Sequence, residues 1–132
     1  MADQKLRVVQ IGCGPRAPVP LTAMQASGLI EICALCDIHP EKAQALGERF
    51  GITNRYTDLR QMIAIEKPDL VNIVTRPEIR LPIIEAAIDA GATALLIEKP
   101  MSLTPTENRR IRELGADRLI AVNTQYQSTT PG

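Results

Sequence analysis

A doubly wound parallel α/β sheet is the fold this sequence predicts, and three observations predict it. Strand-like and helix-like blocks alternate along the chain, which implies a parallel sheet with helices on both faces. A glycine-rich turn, Gly12-Cys13-Gly14-Pro15-Arg16-Ala17, follows the first compact apolar run, Leu6 to Ile11. A second apolar run, Leu29 to Cys36, ends in Asp37, twenty-five residues past Gly12.

Each element has a local reason. Leu6–Ile11 is a buried strand, and the helix after the turn is expected from Pro20, since proline suits a first helical turn, to Gly28. Leu29–Cys36 is the second strand. Pro40–Phe50 reads as a helix with Ala43, Leu46 and Phe50 on one stripe and Gly51 as its stop. Arg55–Thr57 is a short strand. Asp58 caps a helix to about Glu66, which Pro68 ends, and Leu70–Thr75 is the next strand. Glu78–Ala90 is a helix closed by Gly91, and Thr93–Ile97 a strand. Thr104-x-x-Glu107 has capping-box spacing with Pro105 at the first helical position; that helix ends at Gly115, and Leu119–Asn123 is the last strand. The expected strand order is 3-2-1-4-5-6, a Rossmann-type sheet in one domain over residues 1–123, with 124–132 a polar tail.

The turn carries the chemistry. A G-x-G-x-x-A fingerprint after a strand, opening a helix and followed at a distance by an acid, is the layout of a dinucleotide-binding βαβ unit. Gly12 permits the tight turn, Gly14 lets backbone approach a pyrophosphate, and Ala17 keeps helix close to strand. Cys13, Pro15 and Arg16 complete the phosphate loop. Asp37 stands where a carboxylate accepts from an adenosine ribose, or where it caps the next helix. Pro15, Pro18 and Pro20 each lack a backbone N–H, and a phosphate at a helix N-terminus depends on such donors. Arg16 compensates by pairing with phosphate oxygens, so weakened or reshaped dinucleotide binding is expected.

Bulk composition narrows the alternatives. The chain has 132 residues, 45% hydrophobic and 23% charged, ordinary for a globular domain. Lys+Arg and Asp+Glu are 15 each, so no electrostatic footprint for nucleic acid or an anionic membrane exists. One Phe, two Tyr and no Trp make a base-stacking platform unexpected. No run approaches the roughly 18 apolar residues of a transmembrane helix. The start, Met1 to Leu6, is polar and no apolar signal core follows it. With an odd cysteine count, a cytoplasmic protein is expected. Cys33-x-x-Cys36-x-x-His39 imitates a ligand series, but residues three apart on a strand point to opposite faces. Buried thiols and no metal are the expectation, with His39 an exposed turn residue. Arg109, Arg110 and Arg112, beside Glu107 and Glu113, read as a solvated, partly paired helix face.

Downstream, Glu98-Lys99-Pro100 follows a strand and precedes Met101-Ser102-Leu103-Thr104 and a helix. With the fingerprint, with Asp37-Ile38-His39-Pro40-Glu41-Lys42-Ala43, with Asp69-Leu70-Val71-Asn72-Ile73-Val74-Thr75 and with the helix ending Ala90-Gly91, this resembles the glucose–fructose oxidoreductase/inositol dehydrogenase (Gfo/Idh/MocA) family over residues 5–127. The resemblance implies an NAD(P)-dependent oxidoreductase that transfers hydride on a sugar, polyol or related small molecule. It implies that Lys99 is catalytic, contacting the nicotinamide region and the reacting substrate oxygen, and that Glu98 orients Lys99 or binds the nicotinamide ribose. Thr75, Arg76 and Pro77 fall on the family's Thr-Pro-Asn-x-x-His segment and are assigned to the cofactor, although here Arg76, Pro77 and Arg80 replace its Pro, Asn and His. Arg76 and Arg80 are either solvated helix-start charges or a receptor for a carboxylate or phosphate. Asp37 favours NAD, while Lys42 leaves NADP open. In the family this region is followed by a substrate domain, and the chain stops at Pro131-Gly132, about where that domain would begin. A fragment and a natural single-domain protein are both open, and the alternative function is a non-catalytic dinucleotide-binding module, a sensor or one subunit of a split enzyme. Alone, the chain is expected to turn over poorly, because one side of the cleft stays open to water.

Overall fold

The computed structural model describes residues 5–98 and 103–123. Six parallel strands lie in the order β3-β2-β1-β4-β5-β6. They are β1 (Leu6–Ile11), β2 (Ile30–Cys36), β3 (Arg55–Tyr56), β4 (Leu70–Ile73), β5 (Ala94–Glu98) and β6 (Leu119–Asn123). The helices between them are α1 (Pro18–Ser27), α2 (Pro40–Phe50), α3 (Leu59–Glu66), α4 (Arg80–Asp89) and α5 (Pro105–Leu114). The chain winds outward from β1 through β2 and β3, then from β4 in the other direction. That reversal between neighbours β1 and β4 opens a crevice at their carboxyl ends.

Strand pleating builds a core on each face. Val9, Ile11, Val71, Ile73, Leu95 and Ile97 face Met62 and Ile63 of α3, Ile84 and Ala87 of α4 and Ile111 of α5. Val8 and Leu35 face Leu21 and Met24 of α1 and Ala43 and Leu46 of α2. The expected fold and strand order are therefore the observed ones. Among the described residues no helix is long and apolar enough to cross a membrane.

Several boundaries shift for local reasons. α1 starts at Pro18 rather than Pro20, and both prolines fit because the first amides of a helix have no intrahelical acceptor. β4 ends at Ile73 rather than Thr75, while Val74 N–H still bonds Ile11 O at 2.8 Å. A 3-10 turn, Pro77–Ile79, precedes α4, so the α-helix proper begins at Arg80 instead of Glu78. β5 runs on to Glu98. Asp58 caps α3 by accepting from Arg60 N–H, and Thr104 caps α5 by accepting from Glu107 N–H, as their spacing predicts.

One expectation about β2 fails. Val8 pairs with Ile32 and Val9 with Ala34, so Cys33 is an extra residue in a bulge. The bulge breaks the two-residue alternation. Cys33, Ala34 and Cys36 all pack toward the same core, so the opposite-face argument for Cys33 and Cys36 does not hold. Cys33 is half-buried, and its thiol lies 3.7 Å from Glu31 O. Among the described residues no three His, Cys, Asp or Glu side chains gather as metal ligands would.

Candidate functional site

A cavity of about 720 Å³ opens at the carboxyl edge of the sheet. Gly12, Gly14, Pro15, Arg16, Asp37, Thr75, Arg76, Pro77 and Glu98 all line it, so most of the sequence-assigned cofactor residues converge there. Cys13 and Ala17 are buried behind the loop instead. Lys99, Pro100 and the tail from Thr124 lie outside the described residues.

The loop geometry explains its composition. Gly12 has φ 109°, and a Cβ there would stand 2.2 Å from Val74 O. Glycine is thus needed for the close approach of loop to β4 as well as for the turn. Gly14 has no such neighbour, and its open side faces the cavity. Gly12 N–H bonds Cys36 O at 2.8 Å, and Ala17 N–H bonds Gly14 O at 3.0 Å. Cys13 N–H donates to Asp37 Oδ2 at 2.9 Å, and His39 N–H donates to Asp37 Oδ1 at 2.8 Å. Asp37 therefore ties the fingerprint loop to the turn before α2. Each of its oxygens keeps a lone pair for a further donor. Exposed His39 and Lys42 line the same end of the cavity.

At the opposite end, the Glu98 side chain is 9% exposed, with Oε1 3.9 Å from Arg16 Nε. Glu98 Oε2 and Thr75 Oγ1 are buried without a hydrogen-bond partner among the described residues. Such groups are costly unless something satisfies them. Both belong to cavity-lining residues, so a ligand with hydrogen-bonding groups fits here.

Arg80 corrects an expectation. It is 2% exposed, not a solvated helix-start charge. Its Nη1 donates to Glu98 O at 2.5 Å and its Nη2 to Thr75 O. These carbonyls stand at the end of β5 and just after β4, and a planar fork of donors can serve both. Burial pushes the Arg80 pKa down, opposed by the nearby carboxylates of Glu98 and Glu78. Arg76, by contrast, is the expected exposed charge, 3.7 Å from Glu78. Arg110, between Glu85 at 3.2 Å and Glu113 at 3.6 Å, likewise sits on a solvated, paired face.

Two buried polar residues escaped the sequence reading. Gln10 in β1 and Asn72 in β4 are 0% and 2% exposed. They are paired across the strands, with Asn72 Nδ2 donating to Gln10 Oε1 at 2.9 Å. The available signal was an amide in the middle of each of two apolar runs, LRVVQI and LVNIVT.

The thiols make a measurable prediction. Burial, then the Asp37 charge, pushes Cys13 up to about 12, and burial with Asp37 and Asp58 does the same to Cys36. Both should resist iodoacetamide in the native protein at pH 8 and react once urea unfolds it, as read by mass spectrometry. A thiol whose folded pKa is raised stabilises the fold below its ordinary value of 9.0 and loses that contribution as pH climbs toward about 12. Urea midpoints should fall above pH 9.

The sequence matches the oxidoreductase family model described as an NAD-binding Rossmann fold over residues 6–123. It is 36% identical to a D-apiose dehydrogenase of Paraburkholderia graminis over 99 residues, covering 75% of this chain and 26% of that protein. It is 31% identical to a D-glucoside 3-dehydrogenase of Escherichia coli over 120 residues, 87% of this chain and 34% of the relative. The solved structure of an oxidoreductase from Agrobacterium radiobacter, in complex with NAD+, L-tartaric acid and magnesium, superposes with a TM-score of 0.85 at 25% identity, covering 94% of this chain and 36% of that one. The chain thus spans about a quarter to a third of these relatives' length. With the fingerprint, the acid-ended second strand and the sheet order in place, the chain belongs to the Gfo/Idh/MocA oxidoreductase family, in its NAD-binding Rossmann domain.

Proposed function

We propose that this chain binds NAD(H) across the carboxyl ends of β1, β2, β4 and β5, as the nucleotide-binding part of a dehydrogenase acting on a sugar or polyol. The observation that carries this reading is the single cavity shared by the fingerprint loop, Asp37 and Glu98. When bound, NAD(H) supplies or accepts the hydride. The remaining work falls to the chain's own residues. Pro15, Pro18 and Pro20 offer no N–H, and the amides of Gly12, Cys13, Ala17 and Val19 bond within the protein. Pyrophosphate recognition therefore falls mainly on the Gly14 N–H and on Arg16. Asp37 accepts from the adenosine ribose, and its charge opposes a 2′-phosphate there. Thr75 and Glu98 receive donors at the nicotinamide end, with Arg76 and Pro77 bordering them. Lys99 Nζ holds the proton exchanged with the substrate's reacting oxygen. The equal count of acids and bases leaves no net positive charge to favour nucleic acid, and three unbridged cysteines suit a reducing cytoplasm.

Calorimetry on the folded chain should detect NAD+ binding, tighter than NADP+. Asp37→Ala should weaken it roughly 10–100-fold, the scale of one or two hydrogen bonds to a charged group. NADP+ binding as tightly as NAD+ would refute the role of Asp37, and no binding of either at millimolar concentration would refute the proposal. In a protein that includes the substrate domain, Lys99→Ala should remove most turnover, with a smaller loss of NAD+ affinity.

A further inference from the structure

We propose that Gln10 is a positioning residue for the fingerprint loop, held in its working orientation by Asn72; the part of this inference that concerns binding rests on the NAD(H) reading. Gln10 Nε2 donates to Gly12 O at 3.2 Å and to Ala17 O at 3.3 Å. Those carbonyls stand at the two ends of the loop, so one buried amide clamps its entry and its exit together. Gln10 is not among the cavity-lining residues. The carbonyls it holds are therefore directed into the core side of the loop, away from where an anion would sit. A carbonyl turned toward a pyrophosphate would repel it.

Asn72 supplies the orientation. Its Nδ2 donates to Gln10 Oε1 at 2.9 Å, across the β1–β4 pair. With that oxygen committed to Asn72, the Gln10 NH2 faces the loop. The opposite orientation would set Oε1 against two carbonyl oxygens and NH2 against NH2. The pair's hydrogen bonds are thus satisfied in one arrangement only. An apolar pair of the same shape would fill this core equally well, because replacing both partners of a buried hydrogen bond can be nearly neutral. What the apolar pair cannot do is hold the two loop carbonyls. The relay runs from β4 through β1 to the loop and links the two strands that flank the crevice.

The test uses the double variant Gln10→Met/Asn72→Leu, which keeps shape and removes the relay. Its melting temperature should fall, because the Gly12 and Ala17 carbonyls lose a buried side-chain donor, so the deciding readouts are local. Without ligand, backbone amide exchange at Gly12, Cys13 and Ala17, whose N–H groups bond within the protein, should accelerate while amides of Ala34 and Leu35 keep their protection. NAD+ affinity should fall about tenfold, the scale of one lost hydrogen bond. A double variant with unchanged loop exchange overturns the proposal, because the pair would then be core filler. Unchanged NAD+ affinity in the double variant overturns the binding half. If the double variant does not fold, Asn72→Val carries the same readouts, since it leaves Gln10 present but unlocked. Failure of the unmutated protein to bind NAD+ would sink the NAD(H) reading alone, and loop exchange would still decide the role of Gln10.

Discussion

Arg80→Ala should destabilise the domain by about 2–6 kcal/mol, from two strand-end carbonyls left without a donor at roughly 1–3 kcal/mol each. Domains of this kind have only about 5–15 kcal/mol in total, so the variant sits near the edge of folding. The side chain is buried, and its acceptors Thr75 O and Glu98 O belong to residues that line the cavity. Loss should therefore reach the site as well, loosening the peptides that carry Thr75 and Glu98 and weakening NAD+ binding. Arg80→Lys should recover only part of the stability, because an ammonium lacks the planar fork that reaches two acceptors at once. Arg109→Ala, on the exposed face of α5, is the control and should stay within about 0.5 kcal/mol. Urea unfolding measures all three. An Arg80→Ala protein as stable as the unmutated one would show that these carbonyls find other donors.

The contrast between Arg80 and Arg76 shows where sequence reading stops. Both precede or open the same helix in a polar stretch, and from local pattern both read as solvated charges. Only the parallel pairing of β4 with β5, which sets their ends side by side, decides that one reaches two strand-end carbonyls and the other faces water. The strand order, by contrast, was legible because each strand and helix carries its own period and its own cap, such as Asp58 before α3 and Thr104 before α5. The cavity lining was legible for a related reason. Fingerprint, acid and strand-end residues all lie at carboxyl ends, and a parallel sheet brings all carboxyl ends to one edge. The bulge at Cys33 left no local mark, since a bulged residue in an apolar run looks like any other. Gln10 and Asn72 did leave one, an amide within each apolar run, but its meaning depends on the β1–β4 pairing that puts them opposite each other.

The two fingerprint glycines should separate folding from binding. At Gly12, alanine meets two penalties at once. A φ of 109° is strained for any side chain, at about 1–3 kcal/mol. The added methyl would stand 2.2 Å from Val74 O, a backbone atom that cannot swing aside, and overpacking of this kind costs about 1–3 kcal/mol more. Gly12→Ala should therefore lose several kcal/mol and fold poorly, whatever ligand is present. At Gly14, φ is not positive and nothing lies within 4 Å of an added Cβ, so Gly14→Ala should change stability by no more than about 0.5–1 kcal/mol, the helix-former's gain in chain entropy included. Gly14 lines the cavity, and a methyl there stands beside the loop amide assigned to the pyrophosphate, so NAD+ affinity should fall at least tenfold. Thermal melts with calorimetry on both variants give the answer. Equal loss of stability at both positions would mean that the loop is one rigid unit with no division of labour. A Gly14→Ala protein that binds NAD+ normally would move the pyrophosphate away from the Gly14 amide and leave Arg16 as its remaining anchor.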